Sequence, residues 1–189
     1  MQQSQIKAIL KRVLPRFNAG DFEAFQAIAQ YVAYPAGTKV VTEGKRHAYF
    51  YFIVRGAVKS YYQKEDKEVC LWIAFENETI GTIKIYHGAP SNETIELLED
   101  CELIRFEIDR LKHLAETSLP ISRFVNELLE EHAVFLEERL FQLQFMTSKE
   151  RYVGLLKTMP ELFQRVSLTD IASYLGISRE TLSRIRSEK

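Results

Sequence analysis

An α+β fold is what this 189-residue sequence predicts, with helices at both ends and strands between them. Three observations carry that reading. From Tyr34 to Ile108 short apolar runs alternate with turns, and Gly37, Gly44, Gly56 and Gly81 punctuate them. From Ile121 to Met146 there is neither Gly nor Pro, and apolar residues recur every three or four positions. From Leu168 to Ser187 the stretch LTDIASYLGISRETLSRIRS reads as two short helices around a tight turn. With 46% hydrophobic and 12% aromatic residues, the chain can bury a sizeable core.

Residues 4 to about 33 read as helices. Ile6, Ile9, Leu10, Val13 and Leu14 keep helical spacing up to Pro15. Phe22, Phe25, Ile28 and Ala29 resume it after Asn18-Ala19-Gly20-Asp21, with Asp21 the expected N-cap. Strands are then expected over Ala48–Val54, Ala57–Gln63, Glu68–Phe75, Thr94–Leu98 and Glu102–Ile108. Arg55-Gly56 and Glu65-Asp66-Lys67 supply turns between the first three. Such a series of short strands fits a sandwich, a barrel or a jelly roll. Asp109 should cap a short helix through Glu116, and Pro120 should open a long one.

Along the long helix, Val125, Leu129, His132, Leu136, Leu140 and Leu143 form a seam close to a coiled-coil repeat. Such a seam packs on its own domain or on a second copy of the helix. Thr147-Ser148-Lys149-Glu150 is a capping box that restarts a helix, so the break near Thr147 is a candidate hinge. Pro160 opens a further short turn, PELFQRV.

In the last stretch Ser167 caps the first helix, with Asp170 three places on. Gly176 ends that helix, because glycine takes the left-handed conformation cheaply. Ser178 caps the second helix, where Leu182 and Ile185 share one side. Arg179, Glu180, Ser183 and Arg184 project from the opposite side. An Arg fork fits the O6 and N7 of guanine, and Glu accepts from the N4 of cytosine. The hydroxyls of Ser178 and Thr181, with Arg186, suit phosphate. The alternative is an ordinary helical hairpin with a solvated face, Glu180 and Arg184 pairing at i, i+4.

Net charge is −1, but from Thr147 onward there are 8 Lys/Arg against 5 Asp/Glu, so the basic excess lies with this stretch. Cys70 and Cys101 sit in strand-like runs and read as buried, reduced thiols. Two thiols are too few for an all-cysteine iron–sulfur cluster, and the four histidines have no metal spacing, so no cofactor is expected. No His-x-His set or nucleophile–base motif stands out, which argues against an enzyme. The N-terminus scatters Lys and Arg among apolar residues, and the run Ala48–Val54 is far too short to span a bilayer, so a cytoplasmic chain with no membrane partner is expected.

SRETLSRI resembles the recognition helix of the Crp/Fnr family of bacterial regulators. PAGTKVVTEGKRHAYFYFIVRGAVKSYY resembles the opening strands of that family's cyclic-nucleotide-binding β-roll. The resemblance implies a jelly-roll (double-stranded β-helix) effector domain at 1–118, a dimerisation helix at 119–146 and a DNA-binding domain at 147–189. Its helix-turn-helix would span 168–187. It further implies a homodimer on double-stranded DNA, with Arg179, Glu180 and Arg184 reading a palindromic, TGTGA-like site. RNA polymerase and an unidentified small-molecule effector complete the partners it suggests. Two departures stand out. The family's β-hairpin wing after the recognition helix is missing, which reads either as a short-tailed form or as a truncated sequence. In the phosphate cassette, Gly81-Thr82 stands for Gly-Glu and Ser91-Asn92 for Arg-Ser, leaving Lys84 and His87 as substitute cations or as plain surface loop residues. Without the guanidinium, tight cyclic AMP binding is not expected. The competing functional reading is a small-molecule sensor or interaction module whose helix-turn-helix is vestigial.

Overall fold

The computed structural model describes residues 2–13, 17–81 and 83–188. Two helices, α1 (Gln2–Val13) and α2 (Ala19–Ile28), precede the sheets. The strands are β1 (Ala29–Tyr34), β2 (Lys39–Val41), β3 (Tyr49–Arg55), β4 (Val58–Lys64), β5 (Lys67–Ala74), β6 (Thr79–Ile80), β7 (Thr94–Leu97) and β8 (Cys101–Glu107), with the short helix α3 (Ile83–Tyr86) before β7. They form two four-stranded sheets, ordered β1-β8-β3-β6 and β2-β7-β4-β5, and every pair is antiparallel. The fold is therefore α+β around a β-roll. Its interior is filled by Val41, Ile53, Val58, Ile95, Leu97, Leu103 and Ile104, all essentially inaccessible. Each such side chain contributes about 1.5–3 kcal/mol on burial.

Three expectations are corrected here. Ala29–Tyr34 is not helical; it is strand β1, paired with Cys101–Phe106 of β8. Its apolar residues continue the preceding helical rhythm, but the partner strand decides the conformation. Asp21 is not the N-cap of α2. Asn18 is, its side chain accepting from the Asp21 N–H at 2.9 Å. Asp109 does not cap α4 (Ile108–Thr117) either, because that helix begins one residue earlier and leaves Asp109 in its first turn. Leu14 and Pro15 lie outside the described residues.

Helix α5 (Leu119–Phe145) starts at Ser118, whose hydroxyl accepts from the Ile121 N–H at 3.3 Å and donates to Asp21 at 2.5 Å. Phe25 meets Phe106 at 4.8 Å and Phe124 at 5.4 Å, so aromatic packing ties α2 and α5 to the roll. The expected seam divides in two. Val125 is buried and Leu129 packs against the roll, whereas Leu136, Leu140 and Leu143 are 48%, 56% and 48% exposed. The first half is thus covered by its own chain, and the second half is open, along with Val134, Phe141 and Phe145.

The remaining helices are α6 (Ser148–Thr158), α7 (Leu162–Arg165), α8 (Leu168–Tyr174) and α9 (Arg179–Ser187). The Thr147–Glu150 capping box forms as expected. These helices do not stand apart from the roll. Tyr152, Leu155, Leu162, Val166, Ile171, Tyr174 and Leu182 share one apolar cluster with Ala57, Cys70, Ile73 and Phe75. A bulge leaves Leu71 unpaired, since Ser60 faces Trp72 and Tyr61 faces Cys70. It shifts the alternation, so that Cys70 and Ile73 both face the helices while Trp72 turns inward.

Candidate functional site

The α8–α9 pair is built by local rules. The Ser167 hydroxyl accepts from the Asp170 N–H at 3.1 Å, and Ser178 accepts from the Thr181 N–H at 3.2 Å. Gly176 sits at φ +68, and the Ile177 N–H reaches back to the Ala172 carbonyl at 3.0 Å, which closes α8. Leu182 and Ile185 then pack with Ile171, Ala172 and Leu175. With one side of α9 fixed inward, Arg179, Glu180, Ser183, Arg184 and Arg186 are all exposed. Ser178 is exposed and Thr181 half-buried, their hydroxyls 3.2 Å apart. All seven sequence-predicted residues therefore fall on one short helix and its cap. Among the described residues, Arg179, Arg184 and Arg186 are held in no ion pair, and the Glu180–Arg184 pair is not formed. The Glu180 carboxyl is held below its ordinary range by its own backbone N–H, the Ser178 hydroxyl and then Arg179, so it remains an ionised acceptor.

Other cations are engaged inside the fold, and sequence reasoning missed them. The Arg165 guanidinium, 21% exposed, donates to Glu76 at 2.8 Å, to Glu161 at 3.1 Å and to Glu99. Glu76 also accepts from the Gly56 N–H at 2.8 Å. Only glycine fits there, because φ is +122 and a Cβ would run into Cys101. The Arg165 hydrogen bonds outweigh desolvation and hold the Glu76 carboxyl down at about 2. Lys59, 7% exposed, bonds Glu68 at 2.7 Å and Asp170 of α8 at 3.0 Å. Desolvation pushes its pKa down, yet the two carboxylates raise it overall. The Ser173 hydroxyl accepts from the Cys70 N–H at 2.9 Å. Apart from the i, i+4 pair Arg165–Glu161, these contacts join residues far apart in sequence, so no local pattern signals them.

The effector candidates are only partly brought together. Lys84 donates to Asn92 at 2.7 Å, and both line a cavity of about 400 Å³ between β5, α5 and the α8–α9 turn. Ser91 is buried and occupied: its hydroxyl donates to the Glu93 carbonyl at 2.8 Å and accepts from the Glu93 N–H at 3.1 Å. Gly81 lies elsewhere, its Cβ position 3.1 Å from Phe50, beside two other pockets. Thr82 lies outside the described residues. The missed residue is Glu93. It is buried, accepts from the Trp72 indole N–H at 3.0 Å and from the Ser60 hydroxyl, and lines the same cavity. Desolvation pushes its carboxyl up to about 7 against the indole hydrogen bond. Period-two counting could have found it, because Glu93 shares parity with the inward Ile95 and Leu97. Among the described residues no cluster of metal-ligating side chains occurs, and no helix is long and apolar enough to cross a membrane.

The class defined by this roll is matched by residues 31–118, which fit the family model described as cyclic nucleotide-binding domain. Mouse (Mus musculus) patatin-like phospholipase domain-containing protein 7 is 27% identical over 100 residues. That match covers 52% of this chain but spans only 7% of that relative's length. Among solved structures, FixK2 from Bradyrhizobium japonicum matches with a TM-score of 0.76 at 22% identity, over 85% of this chain and 84% of that one. The c-di-GMP responsive global regulator CLP from Xanthomonas campestris gives 0.70 at 24% identity, over 90% and 91%. A putative transcriptional regulator of the crp/fnr family from Eubacterium rectale gives 0.70 at 17% identity, over 90% and 82%. The fold, a nucleotide-binding-type β-roll followed by a long helix and a small helical unit, is therefore that of such regulators.

Proposed function

We propose that this chain is a sequence-specific DNA-binding transcription regulator of the Crp/Fnr type. The observation that carries the reading is the exposed face of α9, where Arg179, Glu180, Ser183 and Arg184 project from a helix whose Leu182 and Ile185 are buried. Arg179 and Arg184 each fit a guanine and Glu180 a cytosine, while Ser178, Thr181 and Arg186 contact phosphate. In this reading residues 1–118 sense an effector, 119–146 dimerise and 147–189 bind DNA. The open half of the α5 seam, Leu136, Leu140 and Leu143, meets a second copy, and the two-fold axis matches an inverted repeat. RNA polymerase and a small-molecule effector are the further partners. Cyclic AMP is not a tight ligand, because Ser91 replaces the guanidinium and Glu93 faces any phosphate with a carboxylate.

A gel shift tests the reading: a duplex with inverted TGTGA copies one helical turn apart should be retarded, and a scrambled duplex should not. Leu140→Glu places a carboxylate in the dimer seam and should leave a folded monomer in light scattering, with the shift lost. A monomeric wild type at micromolar concentration contradicts the dimer.

A further inference from the structure

The cavity between β5, α5 and the α8–α9 turn is about 400 Å³, within the range of small-molecule sites. Its lining is mainly apolar and includes three aromatic rings, Tyr62, Trp72 and Phe135. Glu93 lies in the same wall and is 9% exposed. Both of its donors, the Ser60 hydroxyl and the Trp72 indole N–H, converge on Oε2, and Oε1 has no donor among the described residues. Among the described residues Glu93 forms no ion pair. Lys84 is exposed and directed to Asn92. The Arg139 guanidinium, in the same lining, donates one nitrogen to the Tyr174 carbonyl and stacks on the Tyr174 ring at 4.1 Å, while its other terminal nitrogen is buried without a hydrogen-bond partner among the described residues. Burial depresses the pKa of His132, which keeps its imidazole neutral. An unpaired buried carboxylate is costly unless a proton or a cation joins it. Aromatic faces beside a carboxylate are what attracts an ammonium group.

We propose that this cavity binds a small, largely apolar amine whose ammonium group donates to Glu93. The proposal rests on reading the β-roll as an effector-sensing module and names the ligand class of that module. Ser173 and Gly176 also line the cavity, so an occupant touches the α8–α9 pair directly.

Trp72 is the single tryptophan, so its fluorescence reports occupancy of this site. The probes are phenethylamine, 2-phenylethanol, phenylacetate and cyclic AMP, titrated into the full chain. Phenethylamine should give a saturable change at least roughly tenfold tighter than the other three. Glu93→Gln should abolish that preference. Phenylacetate or cyclic AMP binding as tightly as the amine, no saturable response to the amine, or an unchanged preference in Glu93→Gln would each overturn the proposal. If circular dichroism shows that Glu93→Gln does not fold, the wild-type probe series decides alone. The gel shift runs in parallel: amine binding without DNA binding refutes the regulator reading and upholds the cavity, and the reverse refutes the cavity alone.

Discussion

Two sets of cations around the C-terminal helices contrast, one facing the roll and one on the outward face of α9. On the roll side, Arg165 meets Glu76, Glu99 and Glu161, and Lys59 meets Glu68 and Asp170. On the outward side, Arg179, Arg184 and Arg186 are exposed and, among the described residues, held in no ion pair. The difference teaches which charges hold the fold and which remain for a partner. A paired cation orients the helical unit on the roll. An unpaired one on a rigid helix is available to an external anion or base edge.

The comparison breaks if the two sets respond alike to mutation. Arg184→Ala should cost about 1–3 kcal/mol of DNA binding per half-site, roughly twice that for a dimer. Its folding stability should stay within about 0.5 kcal/mol of wild type in urea titrations. Arg165→Ala should do the opposite, losing about 1–3 kcal/mol of stability while leaving the selected DNA sequence unchanged. That figure sits below the range for fully buried pairs because the two side chains are 21% and 30% exposed. The pH dependence sharpens this. The carboxyl of Glu76 is depressed to about 2, so its contribution is present above the unfolded value of about 4.3 and lost as pH falls toward 2. Arg165→Ala should flatten the acid limb of the stability curve across that window.

Glu93 offers the reverse sign on the same roll. Its folded pKa is raised to about 7, so stability is highest below the unfolded value and declines as pH rises through 7. Glu93→Gln should therefore stabilise the protein by about 1–3 kcal/mol near pH 8 and by almost nothing near pH 4, read by thermal melts. A variant less stable at both pH values contradicts the assignment. The smallest effect belongs to Arg186→Ala, which should weaken binding to all sequences and reduce the salt slope by about one per subunit.

What the sequence made legible was local. The caps at Thr147, Ser167 and Ser178 and the turn at Gly176 depend on residues three or four apart, and all form as read. The polar face of α9 follows from the helical period alone. The conformation of Ala29–Tyr34 was not legible, because its partner β8 comes some seventy residues later. Neither was the packing of α8 on β5, which depends on the bulge at Leu71 turning Ile73 outward. The cavity beside α5 was half legible. Lys84 and Asn92 do meet, but alignment to a phosphate cassette directed attention to Ser91 and away from Glu93, two residues on.

Selection from random duplexes with wild type and with Arg184→Ala tests the central claim most directly. The account predicts a wild-type motif with inverted G·C pairs, close to TGTGA and its inverted copy, and loss of discrimination at one guanine per half-site in Arg184→Ala. No enriched motif, or a motif that Arg184→Ala leaves unchanged, would contradict the assignment of α9 to base reading.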